Sequence, residues 1–589
     1  MLGPVFNREA LVLPKRPATY LARGLYVGTL FLLLCTGYLV LDGSRSLIAD
    51  GDAARFGVWV FRLLSPLQLV VLTALAAVGA ASSVAQEKDR RTLLLLLMTR
   101  LSGFEVVAGK AAATLLSPLS LLMCALPLFL CLPLLGGVSP AQVLAVFAVT
   151  AISVVISAAI GTVIALWREK TFQAIALTVL VLLSLVGLVE ILAATQWVPA
   201  TILTGLSPWR AVAAAAGMTG GGAAWLTSGV AVFLVIGGTT AAGLIAWGIA
   251  RVRVWNPSRE VRLRAPEPET SEDAETSETP ASWKVRKPRR VWDNPVMWRE
   301  IRTWAYGRKI ILIRLAFALV FATIAAVVWY QMQTGIAFEA AGRIGRALPA
   351  STIPVAVLGV VSLVLINALA VNSITGERDG LALDLLLVTD LSPKEFVFGK
   401  LWGVMYAAKE MIALPIALVL FMGVSRVLTL ESMVFAVIGF LVLVVFAIVL
   451  GIHSGLNYVA GRTATLASLG TIFFLCVGIA TCMTIMVSFR GAFQLQLAPF
   501  LVMVLGGGAA LFAALGWRNP SSAIFAAAFA LPLFTFYTIT QFLLQTDHLF
   551  VLFALSMGYG FTTAAMMVPA LSEFDVSLEP DRAPAESST

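Results

Sequence analysis

Apolar runs of about twenty residues, the length a helix needs to cross a bilayer, follow one another along this chain with short polar breaks between them. Six lie at 24–42, 57–82, 111–134, 141–166, 171–193 and 226–250. A charged interval follows, and then 311–331, 351–374, 402–424, 431–457, 464–488, 497–516, 521–543 and 548–571. The runs are continuous and do not alternate, so they predict spanning helices and exclude a transmembrane barrel. The expected fold is an all-α polytopic membrane protein of 12–14 transmembrane helices. The lower count holds if 497–543 forms a re-entrant hairpin at the outer surface. Residues 197–224, rich in Gly, Pro and Trp, are too polar for a span and predict an outer loop with short helices. The N-terminal VFNREALVLPKRPATYLAR mixes basic and apolar residues and predicts a segment lying flat on the inner leaflet.

The polar breaks carry an internal repeat. EKDRRTLLLLLMTRLSGFEVVAGK, from Glu87 to Lys110, returns as ERDGLALDLLLVTDLSPKEFVFGK from Glu377 to Lys400, offset by 290 residues without a gap. Thirteen of the 24 positions are identical, among them Glu, Asp, Thr, Ser, Gly and Lys, which chance leucine runs would not reproduce. GPVFNREAL, from Gly3, is echoed by NPVMWREIR, from Asn294. The chain therefore divides into two homologous, roughly six-span halves, at 1–255 and 293–573. Between them, 256–292 is an acidic, Pro/Ser/Thr-rich linker flanked by basic clusters, which cannot bury enough surface to fold and is held near an anionic membrane. The tail, 574–589, is expected to be disordered.

Composition agrees with the class: 59% of residues are hydrophobic and 12% charged, against about 25% charged in a soluble domain. The net charge of +9 does not point to nucleic acid, because the basic residues flank apolar runs. Of 41 Lys and Arg, 32 fall on one predicted side, which places both termini in the cytoplasm. No cleavable signal is expected ahead of the first span. The five cysteines all lie in predicted spans and predict packing, and the two histidines have no ligand-spaced partners.

Each copy of the polar block lies after the second span of its half. Ser102 with Glu105, and Ser392 with Glu395, have the S-x-x-E spacing of a capping box. Pro393 suits the first position of the new helix. Each block thus predicts a short leucine-rich helix, a turn, and a capped helix running through Lys110 or Lys400 into the third span. Glu87-Lys88-Asp89 and Glu377-Arg378-Asp379 are expected to point into the cytosol. The plain alternative is that such boxes only start helices; retention of the same charged residues in both copies argues for more.

The pattern E-[KR]-D…T-x-L-S-x-x-E-x-V-x-G-K after a second span, with P-V-x-x-R-E before the first, resembles the cytosolic coupling region of type-2 ATP-binding-cassette (ABC) exporter permeases. The resemblance covers both halves, with extra apolar material at 497–543 as a departure. It implies two fused permease halves in the cell membrane, a translocation path for an unidentified substrate, and separate cytosolic ABC ATPase subunits as partners. By the same resemblance, Glu87, Asp89, Thr99, Ser102, Glu105 and Lys110, with Glu377, Asp379, Thr389, Ser392, Glu395 and Lys400, form the ATPase-coupling surface. ATP and Mg would be used by the partner. This chain is expected to be no enzyme and to bind no cofactor or metal.

Two fragments imitate nucleotide sites. GFEVVAGK, at 103–110, has five residues between its glycines and Ala111 where a P-loop has Ser or Thr. LSGFE, at 101–105, is LSPKE in its twin. Within the spans, Lys409 and Glu410 suggest a vestibule ion pair, while His453 and Asn457, one turn apart, suggest either a pathway lining or an interhelical hydrogen bond. Two rival functions are open to the same sequence. A secondary transporter would need coupling acids near mid-bilayer, for which Glu410 alone is a candidate. A membrane scaffold would share the permease-like fold without transport.

Overall fold

A computed structural model describes residues 3–12, 15, 17–42, 50–90, 92–168, 170–194, 198–217, 229–256, 292–302, 310–335, 351–379, 383, 391–488, 493–516, 521–543 and 548–572. Among these residues every regular element is helical. The linker and tail expected at 256–292 and 574–589 lie almost wholly outside the described residues, and so does Thr389.

The first part of the chain forms α1 (Gly3–Val12), α2 (Pro17–Asp42), α3 (Asp50–Asp89), α4 (Thr92–Met98), α5 (Gly103–Leu130), α6 (Pro140–Trp167), α7 (Thr171–Ala194), α8 (Ala200–Leu206), α9 (Pro208–Ala215) and α10 (Gly229–Trp255). The second part forms α11 (Pro295–Arg302), α12 (Ile310–Gln333), α13 (Thr352–Asp379), α14 (Pro393–Ala407), α15 (Lys409–Val424), α16 (Leu430–Asn457), α17 (Gly461–Ser488), α18 (Phe493–Leu515), α19 (Ser522–Leu543) and α20 (His548–Ser572). Twelve helices among the described residues are long and apolar enough to cross a membrane, and a thirteenth crossing is made if α14 and α15 count as one bent span. The protein is a polytopic helical membrane protein.

Length and glycine placement explain how the bundle is built. The 40 residues of α3 make a rod about 60 Å long at 1.5 Å per residue. That is about twice a hydrocarbon core of roughly 30 Å, so α3 is longer than one crossing needs. α3 packs along α6, and α13 along α16. At the first crossing a Cβ on Gly161 would sit 2.8 Å from the Ala77 carbonyl oxygen. At the second, a Cβ on Gly451 would sit 2.6 Å from Ala370 Cβ. Both crossings are close only because those two positions carry no side chain.

Between the two parts, α7 packs on α12, whereas α2 is met by α18. Phe500 of α18 is buried in the same apolar cluster as Leu30 and Leu33 of α2. The extra apolar run thus fills part of the contact between the two parts. His453 Nε2 lies 3.0 Å from the Leu515 carbonyl oxygen, and the Tyr458 hydroxyl donates to that of Ala514 at 2.9 Å. The C-terminal end of α18 therefore lies beside the C-terminal end of α16.

Residues 198–217 form the short helices α8 and α9, as their composition predicts. Arg210 of α9 makes a two-bond pair with Glu190 at 2.9 and 2.6 Å, which raises the guanidinium pKa. Arg62 donates to the Gly217 carbonyl oxygen at 2.9 Å. These bonds pin the segment to α7 and α3.

Candidate functional site at the paired helix corners

Both predicted capping boxes form. The Ser102 hydroxyl accepts the Glu105 N–H at 3.2 Å, and the Glu105 carboxylate accepts the Ser102 N–H at 2.9 Å. Ser392 and Glu395 repeat the exchange at 3.3 and 3.0 Å, with Pro393 at the first helical position. Each box satisfies two N–H groups that a helix start leaves without partners.

The residues just before each box turn inward. Glu87 pairs with Lys110, and Glu377 pairs with Lys400 at 2.6 Å. Lys88 Nζ donates to the Leu166 and Arg168 carbonyl oxygens at 2.6 and 2.7 Å, at the end of α6. Arg378 donates to those of Leu456 and Tyr458 at 3.2 and 2.6 Å, at the end of α16. Cations at a helix C-terminus satisfy its last carbonyls and oppose its dipole. The Asp89 carboxylate accepts from Thr171 N–H and hydroxyl, at 3.3 and 2.7 Å, at the start of α7. Asp379 lies against Gly461 at the start of α17, where a Cβ would stand 3.1 Å from its Oδ2.

The outward direction expected of Glu87-Lys88-Asp89 and its twin is thus not what the structure shows. The cation and the second carboxylate at each helix end meet, far along the chain, one helix terminus of the opposite sign apiece. Leu166 and Leu456, Arg168 and Tyr458, and Thr171 and Gly461 are each 290 residues apart, like the motifs that bind them.

The segments α1 and α11 close the corners. A Cβ on Gly3, whose φ is +84°, would sit 2.9 Å from Glu105 Cβ. Asn294 caps α11 by accepting the Met297 N–H at 2.9 Å and donates to the Glu395 carbonyl oxygen at 2.8 Å. Glu300 of α11 reaches the buried Lys400 at 2.6 Å, and Arg299 contacts both Glu300 and Glu377. Burial alone would raise the Glu300 pKa. The Lys400 ammonium and the Arg299 guanidinium outweigh it and hold the carboxyl below the usual glutamate range.

Of the predicted coupling residues, Lys110 and Lys400 are buried, and Glu87, Asp89, Glu377 and Asp379 are half-buried in these ties. Thr99, Ser102 and Ser392 are exposed at the corner tips, beside half-buried Glu105 and Glu395. Leu95, Met98 and Phe104 are exposed with them.

The residues singled out within the spans have other partners. α14 and α15 meet at a 57° bend after Ala407. Arg314 of α12 takes the freed Ala407 carbonyl oxygen at 3.1 Å and pairs with Glu410 at 3.2 Å. Lys409 lies over the Tyr406 ring at 4.8 Å, so the expected Lys409–Glu410 pair gives way to Arg314–Glu410. His453 and Asn457 are both buried, 2.9 Å apart, and belong to the α16–α18 contact. Sequence reasoning left Arg314 out of the site, although a cation inside an apolar run signalled it. It also missed Gln86 and Arg90, which have no counterpart in the second copy. Among the described residues no group of three His, Cys, Asp or Glu could hold a metal ion.

No protein-family model matches this sequence, and comparison with curated proteins finds no match.

Proposed function

We propose that this chain is the membrane subunit of an ABC transporter: two homologous permease halves fused in tandem, with both termini in the cytoplasm of the cell membrane. The two corners dock separate ATPase subunits, which bind and hydrolyse ATP-Mg, and the spans form the export path for a hydrophobic, lipid-linked or peptide cargo. The observation that carries this reading is the recurrence of one set of corner contacts in both copies of the repeat: capping box, buried Lys–Glu pair, basic cap on the fourth span and acid on the fifth. Leucine-rich spans could drift apart in the two copies and still reside in lipid. A working surface is a reason for both copies to keep the same polar contacts.

The geometry suits force transfer. In the first corner, α5 begins at its capping box and continues without a break to Leu130. The Lys110–Glu87 pair ties its third turn to the end of α3. Lys88 and Asp89 tie that same end to α6 and α7. A push on the exposed tip at Thr99–Ser102 would therefore move four spans together. In the second corner the same push meets the bend at Ala408, braced by Arg314 and Glu410.

Affinity purification from native membranes tests the reading. A P-loop ATPase should accompany the chain, and vesicles holding both should export substrate only with ATP. An ATP-independent, ion-driven flux would replace this reading with a secondary transporter. A stable ATPase-free chain without flux would replace it with a scaffold.

A further inference from the structure

The two corners are tied to each other by side chains of the first. Arg90, at the end of α3, places Nη2 3.2 Å from Asp379 Oδ1 at the end of α13. With its side-chain amide turned to the orientation its neighbours require, Gln86 accepts the N–H groups of Gly461 and Arg462 at 3.2 and 3.0 Å and caps the start of α17. Both contacts reach from the end of α3 in the first part of the chain into the second part. The second copy lacks the equivalents of these two side chains: positions 376 and 380, 290 residues after Gln86 and Arg90, are both glycine. The start of α7 is capped instead by Asp89 of its own corner.

Charge makes this tie a weak one. Asp89 and Asp379 lie close enough to repel each other, with Lys170 near Asp89. Arg90 is a counter-charge to Asp379 from across the gap. Its side chain is 48% exposed, so the pair is weak and screened by salt. Without Arg90, the acids face each other and favour separation of the corners.

We propose that Gln86, Arg90 and Asp379 form a latch that holds the corner end of the seam between the two halves shut, and that the seam opens there when the latch breaks. The proposal rests on the two halves moving against each other, but its test needs no ATPase. Ser82, fully buried, is four residues before Gln86 and so lies on the same face of α3, one turn behind the latch.

The test uses the full chain with its five cysteines replaced and Ser82→Cys as a reporter, in opened native membranes treated with a membrane-impermeant maleimide. With the latch intact, labelling is slow. Arg90→Asp should speed it at least tenfold, and Arg90→Asp with Asp379→Arg should return it to the slow rate. A second reporter, Ala125→Cys, buried away from the corners, should stay protected throughout. Unchanged labelling in Arg90→Asp, a charge swap as fast as the single variant, or parallel exposure of Ala125→Cys would each overturn the latch. Co-purification of an ATPase with the latch-broken chain is a separate result that bears on the function and not on the latch.

Discussion

Replacing Lys400 with methionine keeps the length and apolar stem of the side chain but removes its charge. The ammonium is 1% exposed and bonded to Glu300, Glu377 and the Ser373 carbonyl oxygen at 2.6, 2.6 and 2.9 Å. Its loss strands the Glu300 carboxylate, which is 2% exposed. Breaking a buried pair by removing one partner costs about 3–5 kcal/mol. Arg299 still contacts both acids, so the lower end, about 3 kcal/mol, is expected. The equivalent Lys110→Met strands Glu87, which is 34% exposed and can turn to water. It should cost about 1–2 kcal/mol, the range for a lost charge-assisted hydrogen bond whose acceptor is resolvated. Reversible denaturation in lipid discs, with both variants compared with the unsubstituted chain, measures the difference. Adding Glu300→Gln to Lys400→Met should recover part of the loss, because no buried charge is then left alone. Equal costs for the two lysines, or no recovery with Glu300→Gln, would refute the assignment of Lys400 as the keystone of the second corner.

Three further outcomes follow from the same contacts. Gly451→Ala, whose Cβ would enter 2.6 Å from Ala370 Cβ, should destabilise by about 1–3 kcal/mol; Gly243→Ala, with open space around it, should be neutral or slightly stabilising, and thermal melts compare them. Ser102→Ala and Ser392→Ala each remove a cap and should cost about 1 kcal/mol, read from melts and from faster hydrogen exchange at the first turns of α5 and α14. The depressed Glu300 pKa contributes stability that is complete above the ordinary glutamate value of 4.5 and declines as pH falls below it; Glu300→Gln should flatten that acid limb, and an unchanged slope would contradict it.

The spans, the capping boxes and the short helices at 198–217 were legible because each is written locally, in apolar runs, in S-x-x-E spacing and in Pro and Gly. The targets of Lys88, Asp89, Arg378 and Asp379 were not, since they lie far along the chain, in the breaks before α7 and α17. Nothing local marks the bend after Ala407 either. No proline or glycine stands there, and the freed carbonyl is taken by Arg314 from another helix. Glu410 looked like the partner of its neighbour Lys409, but adjacent residues on a helix point about 100° apart and do not face each other. The direction of α18 depended on His453 and Tyr458 of α16 finding backbone carbonyls two helices later, which periodicity cannot show.

The most direct measurement replaces exposed Thr99 and Lys394, one at each corner tip, with a photo-reactive amino acid and irradiates intact cells. The account predicts that both positions cross-link to a P-loop ATPase on the cytoplasmic side. Capture of that ATPase at neither position, or labelling of either tip from outside the cell, would contradict it.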